Sequence, residues 1–358
     1  QGTMGETGID FVITANGEGY TLDSGINNGG ANEYFGPDLY LDNTSTTWFI
    51  TPSGIADGKT TYSLTTDGTS FLAAPESGNI AVTTNSDTDA RAQWMLYSRE
   101  EMLTHMGSAT TASPVNATFL LPGYNFGRND TRISNWTGSP SRGGYYGSAW
   151  GDMNAEKFNT TFDVYQEVPG VPDGIYEVSM QGFYRDGGYN DAATLRNSGK
   201  EVLNAQLYAN DEVQALPSIF SESGKCGTQG INQGTYGYIP NSQTDASYYI
   251  HDGLYAVGPL RFTVEGGTLR LGVRKTVAVT NDWTLFDNFR LRYYGAPAPE
   301  VVKGDVNGDG SVTVSDVTVL VNILLGRDTQ NREAADVNGD GSVTIADVTA
   351  VVNIILGK

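Results

Sequence analysis

The chain has 358 residues and a formal net charge of -20, with 45 Gly, 20 Tyr and only 17% charged residues. Length predicts two or three domains, and the glycine and tyrosine usage predicts β-sheet with many turns. The acidic balance argues against nucleic acid or an anionic membrane as partner, since both need basic patches, and favours neutral ligands and calcium. A single cysteine, Cys226, excludes an internal disulfide and a thiol-metal cluster. No apolar run reaches the roughly 18 residues of a membrane helix. The opening QGTMGETGIDFVIT lacks the basic start and apolar stretch of a signal peptide.

From Gln1 to Tyr97 the pattern is short strands between turns. Aromatic-x-apolar triplets recur as FVI at Phe11, WFI at Trp48 and WML at Trp94, while YTL at Tyr20 and YSL at Tyr62 open the intervening stretches. A spacing of about forty residues with alternating side chains predicts β repeats. The triplets resemble ricin-type β-trefoil repeats. Three closing triplets against two complete openings imply that the first repeat, within a trefoil-like domain over 1–97, has lost its beginning: either residues are missing upstream or the fold is an incomplete trefoil. Ser98, followed three residues later by Glu101, then reads as a capping box. It opens a short connecting helix within a linker over 98–113, on which His105 reads as a surface or packing residue.

Over 114–295 the strands lengthen. Alternation at Tyr176, Val178 and Met180, and again at Leu269, Leu271 and Val273, predicts half-buried antiparallel strands. PDG at Pro172 and EGG at Glu265 mark turns. With no helix long enough for a crossover, the expectation is a two-sheet jelly-roll sandwich. Sugars are held by rings stacked on their apolar faces and by Asn, Asp, Gln and Arg on their hydroxyls. The loops GGYYGSAWGD and FYRDGGYND, with NDW before the last strand, supply such groups. Trp150, Tyr184, Arg185, Asp186 and Trp283 are therefore the candidate ligand contacts, each against the alternative of a core role, and Tyr145, Tyr146, Tyr189 and Asn190 lie in the same loops. Trp136 and Phe183 read as core.

The stretches NFGRNDTRISNW from Asn125, FDVYQEVPGVPDGIYEVSMQGFYR from Phe162 and WTLFDNFRLRYYG from Trp283 resemble galactose-binding-like jelly rolls, which include many carbohydrate-binding modules. The resemblance implies glycan binding and, at Asp287, a structural calcium site, with an N-cap or salt bridge as the alternative. No HExxH, P-loop, GxSxG or Cys-His arrangement is present, and His251 has no evident nucleophile. For glycoside hydrolysis by paired carboxylates, Glu156, Glu167 and Asp186 are the nearest candidates.

After the linker APAPE over 296–301, two stretches 31 residues apart agree at 17 of 23 positions: GDVNGDGSVTVSDVTVLVNILLG from Gly304 and ADVNGDGSVTIADVTAVVNIILG from Ala335. Asp305, Asn307, Asp309 and Asp316 take positions 1, 3, 5 and 12 of a calcium loop in the first copy, and Asp336, Asn338, Asp340 and Asp347 in the second. Position 7 offers the carbonyls of Ser311 and Ser342, and Thr313 and Thr344 stand at position 9. Apolar stripes follow, Val317, Leu320, Val321, Leu324 and Leu325, then Val348, Val351, Val352, Ile355 and Leu356, and predict two helices that pack on each other. Residues 302–358 resemble a dockerin, including its Asp at position 12. The family implies calcium-dependent folding around two ions and docking to a cohesin. Residues Val314 and Ser315 differ from Ile345 and Ala346 where dockerins select partners.

The sequence thus predicts a mainly β, multi-domain chain: an incomplete trefoil-like domain, a jelly-roll sandwich and a small helical dockerin. Its expected function is that of a secreted or cell-surface, non-catalytic protein that binds glycans and attaches to a cohesin-like partner. A glycan-active enzyme, or an assembly protein whose dockerin engages a neighbouring subunit, are the alternatives.

Overall fold

A computed structural model describes residues 11–28, 30–56, 58–76, 82–146, 153–297, 302–327 and 332–358. The chain divides into two compact units, Gln1–Ala296 and Pro297–Lys358. No described helix is long and apolar enough to cross a membrane.

Strands β1 (Val12–Asn16), β2 (Gly19–Asn28), β3 (Ala31–Phe35) and β4 (Leu41–Asp42) form one antiparallel sheet, and β5 (Phe49–Ala56), β6 (Lys59–Thr65), β7 (Phe71–Ala73) and β8 (Val82–Thr84) form a second. The recurring aromatics join them. Tyr20 exchanges backbone bonds of 2.8 and 2.7 Å with Trp48, and Tyr62 exchanges bonds of 2.7 and 2.9 Å with Trp94. Each indole N–H donates at 2.8 Å to a strand carbonyl, Trp48 to Phe35 and Trp94 to Leu72. Phe11 packs on Phe35 at the head of β1, so FVI leads into the first four-stranded unit. Two such units stand among the described residues. Helix α1 (Arg99–Met106) follows, with both bonds of the Ser98–Glu101 capping box formed, and it buries Met102 and Met106.

Twelve described strands come next: β9 (Val115–Asn116), β10 (Ser141–Gly143), β11 (Asn154–Phe158), β12 (Phe162–Pro169), β13 (Gly174–Arg185), β14 (Ala205–Ala209), β15 (Glu212–Ala215), β16 (Ile231–Asn232), β17 (Tyr238–Ile239), β18 (Ala256–Val264), β19 (Thr268–Lys275) and β20 (Trp283–Tyr293). The larger sheet runs β10-β11-β20-β13-β18 with β9 also on β20, and the smaller runs β12-β19-β14-β15. Alternate residues of β13 are buried up to Met180, as a half-buried strand requires. Their side chains meet those of β12, β19 and β20 in a core that includes Val164, Tyr176, Val178, Leu271, Val273, Phe286 and Phe289. Phe126 and Trp136 fill one end of it.

Past Met180 the alternation stops: Gly182, Phe183, Tyr184 and Arg185 are all buried. A second apolar cluster explains this, because Phe183, Trp283 and Leu285 pack on Tyr249 and Ile250 of helix α3 (Gln243–His251) and on Tyr255. This helix and α2 (Tyr189–Asn197) are short elements that the strand alternation did not reveal. Tyr189 and Asn190, read as loop, begin α2. The start of α3 was legible, since Ser242 accepts the Asp245 N–H as an N-cap.

In the C-terminal unit, α4 (Val314–Leu324) and α6 (Ile345–Ile355) flank the short α5 (Arg332–Ala335). Leu320, Ile323 and Val351 form the core with Val306 and Ala335, while Val317, Val348 and Ile355 pack against it. The stripe is rotated from the expected one: Val321, Leu324 and Leu325, with Val352 and Leu356, are exposed.

Candidate functional site

Each acidic loop is built by its own carboxylates accepting backbone N–H groups. Asp305 accepts from Gly308, Asp309 and Gly310 at 2.9, 3.1 and 2.8 Å. Asn307 accepts from Asp309, and Asp309 from Ser311, both at 2.9 Å. Asp316 closes the loop by accepting from Asn307 at 3.0 Å and Thr313 at 2.8 Å. The second loop repeats the scheme. Asp336 accepts from Asp340 and Gly341 at 3.1 and 3.0 Å, and Asp347 from Asn338 and Thr344 at 3.2 and 2.8 Å. Gly310 and Gly341 have φ of 87° and 84°. A Cβ at either would meet nothing within 4 Å, so backbone conformation and not crowding demands glycine there.

Asp316 and Asp347 are fully buried. Burial alone would raise their pKa values, but the backbone N–H groups outweigh it and hold both below the ordinary carboxylate range. The Thr313 and Thr344 hydroxyls at position 9 accept the N–H of Ser315 and Ala346 and cap α4 and α6. Among the described residues no three His, Cys, Asp or Glu side chains converge into a metal cluster. The loops nevertheless suit calcium in donor type. Carboxylate, amide and carbonyl oxygens are the hard donors it takes, and Asn and carbonyl oxygens supply the share that carboxylates do not.

The sandwich residues expected at a ligand rim lie elsewhere. Tyr184, Arg185, Asp186 and Trp283 stand where β13 ends and β20 begins, but all are buried. The Tyr184 hydroxyl donates to Asp282 at 2.8 Å, and the same carboxylate is ion-paired with Lys275, so that the three close the end of the core between the sheets. Arg185 donates to the carbonyls of Gly187 and Asn281 at 3.1 and 3.2 Å, with its guanidinium over the Trp283 ring. Trp283 donates to Glu156 at 2.7 Å, whose pKa burial pushes up. Asp186 accepts from the Val202 N–H at 2.9 Å. These groups are engaged by protein on every side named, and their ring faces are not offered to a sugar. Lys275 and Asp282 were missed. Their signal was a lysine ending the apolar strand LRLGVRK, since a buried ammonium needs a carboxylate.

Trp150 lies outside the described residues. Tyr145 is exposed, and Tyr146 stacks on His251 with ring centroids 3.6 Å apart. Asp287 is buried and accepts the Asn288 N–H at 2.7 Å. Glu156 stands on β11 of the larger sheet and Glu167 on β12 of the smaller.

An open cleft of about 680 Å³ lies instead on the outer face of the larger sheet, beside the surface that α3 covers; its polar lining includes Asn116, Glu177, Gln181, Asn288, Arg290 and Arg292. A break in β13 forms it. The strand slips register against β18 between Val178 and Met180, and against β20 between Ser179 and Gln181. Such bulges re-aim side chains. Gln181 is fixed there by donating to the carbonyls of Ile250 and Leu254 at 2.9 and 2.8 Å, and it accepts from Asn288 at 2.9 Å.

Compared with known proteins, residues 303–356 match the family model described as dockerin type I domain. This segment is a dockerin. Dockerins bind calcium and dock to cohesin partners, and proteins that carry them are typically extracellular. No curated protein matches the chain. Among solved structures, a family 61 carbohydrate-binding module in complex with β-1,4-galactotriose is 15% identical, with a TM-score of 0.27 over 48% of this chain and 96% of that one. A Podospora anserina GH26-CBM35 β-(1,4)-mannanase is 9% identical with a TM-score of 0.23, over 53% of this chain and about a third (32%) of that one. On the dockerin surface, Val314 and Ile345 are exposed to 69% and 73%, Val321 and Val352 both to 37%, and Leu325 and Leu356 to 59% and 58%. Two matching apolar ridges therefore face outward.

Proposed function

We propose that this is a secreted or cell-surface modular protein that holds a glycan on its β-sandwich and attaches through a dockerin loaded with two calcium ions to a cohesin-like partner. The observation that carries the reading is the pair of acidic loops with matching hydrogen-bond schemes. Asp305, Asn307, Asp309, the Ser311 carbonyl and Asp316 would hold one ion, and Asp336, Asn338, Asp340, the Ser342 carbonyl and Asp347 the other. The ion supplies charge neutralisation: without it three carboxylates crowd each loop, and with it their binding energy becomes folding energy. The ridges at Val314 and Ile345 supply the apolar area that a docking helix needs.

For the glycan, support comes from the open cleft of the larger sheet, whose amides are fixed in position before any ligand arrives. The test uses the whole chain on immobilised cohesins and on a glycan array, with calcium and with EDTA. Cohesin capture should require calcium, and glycan capture should persist in EDTA. Failure to bind any cohesin in calcium overturns the docking reading, and release of reducing ends from a bound glycan replaces the non-catalytic reading with that of a hydrolase.

A further inference from the structure

The outer-face cleft carries a charge opposite to that of the chain. Carboxylates outnumber cations in the chain, 41 Asp and Glu against 21 Lys and Arg, and some arginines take one as partner, Arg132 with Asp130 and Arg270 with Asp163. In the cleft this does not happen. Its ionisable lining is Glu177, Arg290 and Arg292, and Glu177 is paired at 3.6 Å with a third arginine, Arg261. Arg292 is exposed and stands across from Glu177 in register, while Arg290 stands beside Ser179 at the slipped turn of β13. Among the described residues no carboxylate lies within ion-pair distance of Arg290 or Arg292. The Arg290 guanidinium is seated over the Tyr124 ring with its carbon 4.7 Å from the ring centroid, and one of its nitrogens donates to the Phe289 carbonyl at 3.0 Å. It is positioned, and among the described residues the further donors of its fork are unused.

We infer that this cleft binds an anionic saccharide, a glycan whose sugars bear carboxylates, as in a uronic acid chain. The inference rests on the glycan-binding reading above and names its ligand class. A planar guanidinium presents parallel N–H donors that match a carboxylate in two-point contact. Neighbouring Asn288 and Ser179 offer an amide and a hydroxyl for sugar hydroxyls. Ala256 and Pro259, both exposed, line the same cleft and supply apolar contact for the ring's C–H face. The net charge of the chain pointed to neutral ligands, but screening confines charge effects to about 8 Å in physiological salt, so the local arginines govern what enters.

Isothermal titration of the intact chain with trigalacturonate, its methyl ester, a sulfated disaccharide and neutral β-1,4-galactotriose tests the assignment. Trigalacturonate should bind, and esterification should weaken it about tenfold or more, the scale of one charged hydrogen bond. Arg290→Gln and Arg292→Gln should each weaken it similarly without lowering the melting temperature, and rising NaCl should weaken the wild type. Equal affinity for acid and ester, or full affinity in both variants, overturns the proposal. Tighter binding of the sulfated sugar overturns the carboxylate assignment. If galactotriose alone binds, the proposal fails and the glycan-binding reading stands; if no saccharide binds, both fail.

Discussion

The dockerin rests on Val306, Leu320, Ile323, Ala335 and Val351, whereas the sandwich core runs from Phe126 and Trp136 through both sheets to Tyr293. Small units rarely bury enough surface to stand alone and commonly need a metal. The two regions also use acids differently. In the dockerin, Asp316 and Asp347 collect backbone N–H groups from their own loops. In the sandwich, Asp282 collects Lys275 and Tyr184 from two other strands. The first scheme holds oxygens ready for an ion, and the second consumes them in cohesion.

Substitutions can break this contrast. The largest loss should follow Trp283→Ala, which removes a buried ring packed on Phe183 and should cost about 4 kcal/mol of sandwich stability. Urea unfolding followed by tryptophan fluorescence and circular dichroism would show it, with calcium affinity unchanged. If stability holds and glycan affinity falls instead, the ring is a ligand contact after all. Next, Asp282→Asn leaves the Lys275 ammonium buried without its carboxylate and should cost about 3 kcal/mol, and adding Lys275→Met should recover most of that. No recovery in the double variant would show that the pair is not what the site requires.

A smaller and pH-dependent effect is expected from Glu156→Gln, which keeps an acceptor for the Trp283 N–H. Burial raises the folded pKa of Glu156. Its contribution is therefore fully present below the unfolded value and is lost as pH rises through the folded one. The variant should melt higher than the wild type at pH 7, and the gap should close toward pH 4. A gap independent of pH would contradict the assignment.

The same contrast governs what could be read from sequence. The loop scheme was legible because Asp305 to Asp316 carry their partners within twelve positions, so spacing alone encodes the geometry. The capping box at Ser98 was legible for the same reason. The environment of Trp283 was not, because its partner Glu156 is 127 residues away, and a loop-entry tryptophan looks alike whether a helix covers it or not. The rotated stripe of α4 is an intermediate case: period 3.6 identified the helix, but only the position of Val306 and Ala335 decided which edge is buried. The cleft was illegible, since a register slip on both sides of β13 leaves no mark in its alternation.

The most direct measurement is scanning calorimetry of the whole chain in excess calcium and in EDTA. The account predicts two transitions in calcium, one of which falls or vanishes in EDTA, with loss of ellipticity at 222 nm in a parallel circular dichroism scan, while the other stays within a degree or two. A single transition that moves as one, or two that ignore EDTA, would contradict it.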